Sequence, residues 1–161
     1  MSERRVLLVT GSRALADTGA SEEWARSTLV EAMAFLRDGQ DTLVHGGATG
    51  PDTWAWEIAQ GREHAVEAFY PDGRLRISYP AGSEHDDQHG TWGRLDRTRS
   101  PLARNAHMIE VLSLLREREC EVLVAGLVAP WSRTHGTEHT LRLARKAKLP
   151  TVQYTAPWRT P

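Results

Sequence analysis

Three short runs of glycine, hydroxyl and guanidinium side chains carry most of the chemistry open to this chain. They are Gly11-Ser12-Arg13, Gly46-Gly47-Ala48-Thr49-Gly50-Pro51-Asp52 and Trp131-Ser132-Arg133-Thr134-His135-Gly136-Thr137. Glycine lets a backbone N–H approach an anion closely and tolerates positive φ, and a helix N-terminus adds partial positive charge. Ser12, Thr49 and Thr137 add hydroxyl donors, while Arg13 and Arg133 add the planar forks that suit phosphate. One such loop is weak evidence, because glycine turns also simply join strands to helices. Three of them on one edge of a sheet point to binding of a phosphate or a sugar.

Other residues could add to such a site. Asp52 suits a ribose hydroxyl or acid/base work, although aspartate in a first helical turn is ordinary. Arg104 suits phosphate and Asn105 a base or sugar, against the plainer readings of a solvated helix residue and a local cap. His45 closes an apolar run and reads as a structural histidine, and His135 and His139 read as surface residues. The run His85-Asp86-Asp87-Gln88-His89 has ligand-type side chains but no evident third anchored ligand, so no metal is expected. The tryptophans read mainly as core, with Trp92 and Trp131 in loops near the expected mouth of the site. Cys120 precedes a buried strand and reads as packing.

The elements that must position these residues alternate along the chain. Val6 to Thr10, Thr42 to His45, Ala65 to Tyr70, Glu121 to Leu127 and Pro150 to Tyr154 are short β-rich runs of the kind buried on both faces of a parallel sheet. Between them lies a helix capped by Ser21, with Ala25, Leu29, Met33 and Leu36 at helical spacing and Gly39 as its stop. A second starts at Pro51 with Trp54, Ile58 and Ala59 inward. A third runs from Ser100-Pro101 to about Arg118 on a stripe of Leu102, Ala106, Ile109 and Leu112, and a fourth begins at Thr137. Pro71-Asp72-Gly73 signals a turn, with Arg74 to Tyr79 as the return arm of a hairpin and a long polar loop from Ala81 to Arg99. The expected fold is α/β, a Rossmann-like doubly wound and mostly parallel sheet with helices on both faces. All three glycine loops then lie beyond the carboxyl ends of strands, where open sheets bind ligands.

Composition narrows the function. With 40% hydrophobic and 25% charged residues over 161 positions the chain is globular, and one domain over 1–161 accommodates it, with an insertion at about 71–100. A formal charge of −1 argues against binding nucleic acid chiefly by neutralising phosphates, although Arg94, Arg97, Arg99 and Arg104 could form a local basic patch. One cysteine excludes an internal disulfide. The N-terminus shows no signal-peptide pattern and no apolar run approaches a membrane span, so a cytoplasmic protein without a membrane partner is expected.

Four strings, VTGSR (Val9 to Arg13), VHGGATGPD (Val44 to Asp52), PLARNAHM (Pro101 to Met108) and Gly136-Thr137, occur in an order that resembles the YspA-like branch of the SLOG superfamily. That superfamily includes the LOG cytokinin phosphoribohydrolases and the Rossmann-like core of the DprA/Smf proteins. The resemblance spans about Val6 to Val152. It implies a single SLOG-type domain in which Gly11, Ser12 and Arg13 hold the ligand and Gly46, Gly47 and Gly50 form a second wall, with Asp52 at the start of the following helix. Arg104 and Asn105 would enter from the long helix, and Gly136 and Thr137 would cradle a phosphate. The glutamate of the LOG motif PGGxGTxxE corresponds to Thr140 here, with Glu138 two residues away. Binding of a nucleotide or nucleotide-derived ligand, with no further cofactor, is therefore the leading expectation. The alternative is an N-glycosidic hydrolase of nucleoside monophosphates using Asp52 or Glu138, and DprA-like single-stranded DNA binding comes third. Relatives of this type often pair through helices, which implies a homodimer.

Overall fold

The computed structural model describes residues 4–62, 64–69, 75–78 and 101–157. Strands β1 (Arg5–Gly11), β2 (Thr42–His45), β3 (Ala65–Phe69), β4 (Leu75–Ser78), β5 (Glu121–Val128) and β6 (Thr151–Thr155) form one sheet in the order β4-β3-β2-β1-β5-β6. Helices α1 (Gly19–Met33), α2 (Pro51–Gly61), α3 (Pro101–Glu117) and α4 (Gly136–Lys146) alternate with them. Five strands run parallel, with Val6 opposite both Thr42 and Val122 across the central pairings. Among the described strands β4 alone is antiparallel, pairing Leu75 with Phe69 as the expected return arm, while the turn expected at Pro71-Asp72-Gly73 lies outside the described residues. The fold is the doubly wound, Rossmann-like α/β class.

β1 is apolar from Val6 to Val9 because both its faces are covered. Leu7 and Val9 enter a core with Leu29 and Met33 of α1 and Trp54 and Ala59 of α2. Val6 and Leu8 enter the opposite core with Met108, Leu112 and Leu115 of α3 and Leu141 and Ala144 of α4. Strand side chains alternate in direction, so one strand knits two helical layers together. Burying each such leucine stabilises the fold by roughly 1.5–3 kcal/mol, and β1 therefore anchors everything attached to its end.

Several boundaries differ from those the sequence suggests. Thr18, not Ser21, caps α1: its Oγ1 accepts from the Ser21 N–H at 3.2 Å. Ser21 is buried within the first turn, and its hydroxyl donates to the Leu15 carbonyl at 2.8 Å, tying α1 to the 3-10 turn of Arg13–Ala16. α1 also ends at Met33, well before Gly39, because the Asp41 carboxylate draws the Arg37 N–H away from helical pairing at 2.7 Å. Gly39 sits in the turn that follows, at φ 71°. In α3 the buried stripe is Met108, Ile109, Val111, Leu112 and Leu115, whereas Leu102 is 53% exposed and Ala106 half-buried. The start of α3 lines the cleft with Leu102, Arg104 and Asn105, ahead of the stretch that packs on the sheet. Among the described residues no helix is long and apolar enough to cross a membrane. The run His85 to His89 and Trp92, Arg94, Arg97 and Arg99 lie outside the described residues.

Candidate ligand-binding site

β2 follows β1 on one side, while β5 lies against its other side, so the strand order reverses direction at β1. At that switch point the loops leaving β1 and β5 diverge toward opposite faces, which opens a crevice beyond their carboxyl ends. A cleft of about 550 Å³ occupies it. Thr10 to Arg13 form its floor, Ala48 and Asp52 one wall, and Leu102, Arg104 and Asn105 of α3 another. Thr134 to Thr137, with His139 and Arg142 of α4, complete it.

The glycine loop after β2 is arranged around two side chains. Asp52, buried in the first turn of α2, accepts the Gly46 and Ala48 N–H groups on Oδ2 at 3.0 and 3.1 Å. Gly47 and Gly50 take φ values of 72° and 93°, left-handed conformations that side chains other than glycine rarely adopt. From the opposite side Arg104 donates through Nη1 to the Gly46 carbonyl at 2.7 Å. Its guanidinium lies flat over Gly46: a Cβ there would stand 2.9 Å from Cζ and Nε. Asn105 Oδ1 receives Arg104 Nε and Nη2 at 3.3 and 3.2 Å. The Nδ2 donors of Asn105 have no acceptor among the described residues. Arg104 and Asn105 are both buried.

Burial sets the electrostatics. It pushes the Asp52 carboxyl up to about 6, despite the opposing pull of the Ala48 N–H, Arg104, the Gly46 N–H and Arg13. His45, also buried, is held down to about 4 by burial and then by Arg104. Its Nδ1 accepts the Gly47 N–H at 2.9 Å, so the neutral ring carries its proton on Nε2. Burial lowers Arg104 from its ordinary value, Asp52 opposing and Arg13 adding to the shift. Among the described lining residues Asp52 is the one carboxylate, against Arg13, Arg104 and Arg142. A chain of net charge −1 thus concentrates positive charge in one cleft.

The other loops are built differently from the sequence pattern. Gly11 lines the cleft, but it is glycine because α2 begins against it: a Cβ would meet Pro51 Cβ at 2.4 Å. Ser12 spends its Oγ on the Ala14 N–H at 3.3 Å, and its own N–H reaches the Leu127 carbonyl at 3.0 Å, stitching β1 to β5. α4 starts at Gly136 with no side-chain cap from His135. Its first-turn amides therefore have no intrahelical partner beside the cleft, as anion binding requires.

Of the residues singled out in the sequence, Gly11, Ser12, Arg13, Asp52, Arg104, Asn105, Gly136 and Thr137 come together on the cleft. Gly46, Gly47 and Gly50 stand behind it, shaping the loop that seats Asp52 and Arg104. Thr49 and Arg133 are exposed and off the lining. Glu138 is also off it, its Oε2 held at 2.9 Å from His135 Nδ1. Trp131 packs against the α1/α2 core instead of entering the mouth. The sequence reading missed Thr10, Leu102 and Arg142 and assigned His139 to the surface. For His139 and Arg142 the signal was position, three residues apart on α4 and so neighbours on its surface. Among the described residues no group of His, Cys, Asp and Glu side chains could hold a metal ion.

Fold and site together define a Rossmann-like α/β protein with a cationic cleft at its switch point. No protein-family model, no curated protein and no solved structure matches the chain.

Proposed function

We propose that the chain binds a nucleotide or nucleotide-derived ligand in the switch-point cleft. The observation that carries this reading is the convergence of Arg13, buried Arg104 and the uncapped N-terminus of α4 on one space of about 550 Å³. That volume suits a small molecule, and the cationic lining with free backbone and amide donors suits its phosphate and sugar. The SLOG-like order of the motifs supports the same reading. So does Glu138, which is not among the described lining residues and whose Oε2 is held by His135 at the rim, leaving the hydrolase alternative with Asp52 alone.

One observation favours that second reading. A buried carboxyl raised to about 6 is partly protonated near neutrality and is suited to acid catalysis at a glycosidic nitrogen. Native mass spectrometry against nucleoside monophosphates and signalling nucleotides, with chromatography for released base, separates the two. Binding predicts an intact one-to-one complex that Arg104→Ala abolishes, with no free base. Base release that disappears in Asp52→Asn would make the protein a hydrolase. No complex and no release would remove both readings.

A further inference from the structure

The three guanidinium groups of the cleft differ in what the protein already gives them. Arg104 is committed to the Gly46 carbonyl and Asn105 Oδ1 and lies in the field of Asp52. Arg13 and Arg142 line the same space, yet neither makes a hydrogen bond or ion pair among the described residues. They also come from different elements, Arg13 from the end of β1 and Arg142 from the second turn of α4, where His139 lies one turn before it on the same face. Among the described lining residues Asp52 offsets one of the three positive charges, which leaves two uncompensated at separate places. One phosphoryl group at the start of α4 would use the free amides of that turn and leave a cation unmatched.

We propose that the ligand carries two anionic groups, as a nucleoside diphosphate or a pyrophosphate-bridged nucleotide does, and that Arg142 with His139 forms the subsite for the second. This rests on the nucleotide-binding reading and adds the valence of the ligand to it. Arg142 is exposed at the rim, so the second group sits at the mouth and the nucleoside lies deeper, toward Arg104 and Asn105. A charge-assisted fork at that position discriminates by about tenfold. Because the rim is solvated, salt weakens that discrimination.

Titration calorimetry of the full chain with AMP, ADP, GMP, GDP, inorganic phosphate and inorganic pyrophosphate tests the proposal. The diphosphate of at least one base should bind about tenfold more tightly than its monophosphate, and pyrophosphate more tightly than phosphate. Arg142→Ala should bring those ratios close to one, and Arg142→Lys should restore part of them. Since Arg142 is an exposed helical residue, alanine there preserves the helix, and an unchanged thermal midpoint verifies it. Equal affinity for mono- and diphosphates, or ratios untouched by Arg142→Ala, overturns the two-anion inference and leaves nucleotide binding standing. Preference for pyrophosphate over phosphate without nucleotide binding supports the anion pair and removes the nucleotide. Binding of none of the six overturns both.

Discussion

Asp52 and His45 flank the same glycine loop, and burial shifts their titrations in opposite senses. Asp52 keeps its proton up to about 6 when folded and only to its ordinary 3.8 when unfolded, because burial penalises the anion. Stability therefore falls as pH rises through that window, by about 3 kcal/mol once the group is ionised. His45 is held to about 4 against an ordinary 6.5, again chiefly by burial, so the unfolded chain takes up its proton first. Its contribution is lost as pH drops from 6.5 toward 4. Between about pH 4 and 6 the two slopes oppose each other. Asn in place of Asp52 still accepts the Gly46 and Ala48 N–H groups while removing one slope. Denaturant unfolding across pH should find Asp52→Asn more stable than the native chain above pH 6, by up to about 3 kcal/mol, with the difference closing near pH 4. A difference independent of pH would mean that Asp52 ionises freely. At this scale the sequence displayed the right residue types, since Asp52 and Arg104 both follow recognisable patterns. It did not display that Arg104 is buried against the loop that Asp52 holds, because Arg104 and Gly46 lie 58 positions apart.

At the scale of elements, the loops are set by how strands and helices begin against one another. Gly11 ends β1 where Pro51 begins α2, and a methyl group on Gly11 would stand 2.4 Å from the proline ring. Gly11→Ala should therefore destabilise the chain by roughly 1–3 kcal/mol, as overpacked sites do, read as a lowered urea midpoint at unchanged m-value. A neutral result would mean the β1–α2 junction is loose and the cleft floor mobile. The alternation of strands and helices was legible because doubly buried strands read as continuous apolar runs, and β2 was legible from Thr42 to His45. Ends were less so. Ser21 has the chemistry of a cap, but Thr18 has the extended backbone, with φ −137° and ψ 156°, that a cap needs. Leu102 fits the apolar period of α3, yet it lines the cleft and stays exposed instead of joining the core. Helical periodicity shows which residues share a face, not how far along the helix the core extends.

At the scale of the molecule, topology explains why residues scattered from Thr10 to Arg142 share one cleft. β1 lies between β2 and β5, so the loops at its end and at the end of β5 part across the switch point. α3 runs back from that edge and brings Arg104 and Asn105 with it. The near-neutral net charge hid the site, because formal charge counts residues and not their places. Three cationic side chains around a single buried carboxyl form a strongly anion-attracting space on a chain of charge −1. The central claim is that this space, and no other surface, takes a nucleotide. Amide chemical-shift mapping during addition of a nucleotide is the most direct measurement of it. The account predicts that the N–H signals of Ser12 and Arg13, of Gly46 to Ala48, and of Gly136 to Glu138 shift together along one saturating curve, with the α1 face unmoved. Shifts confined to one loop, shifts on another face, or no saturable shift at all would contradict it.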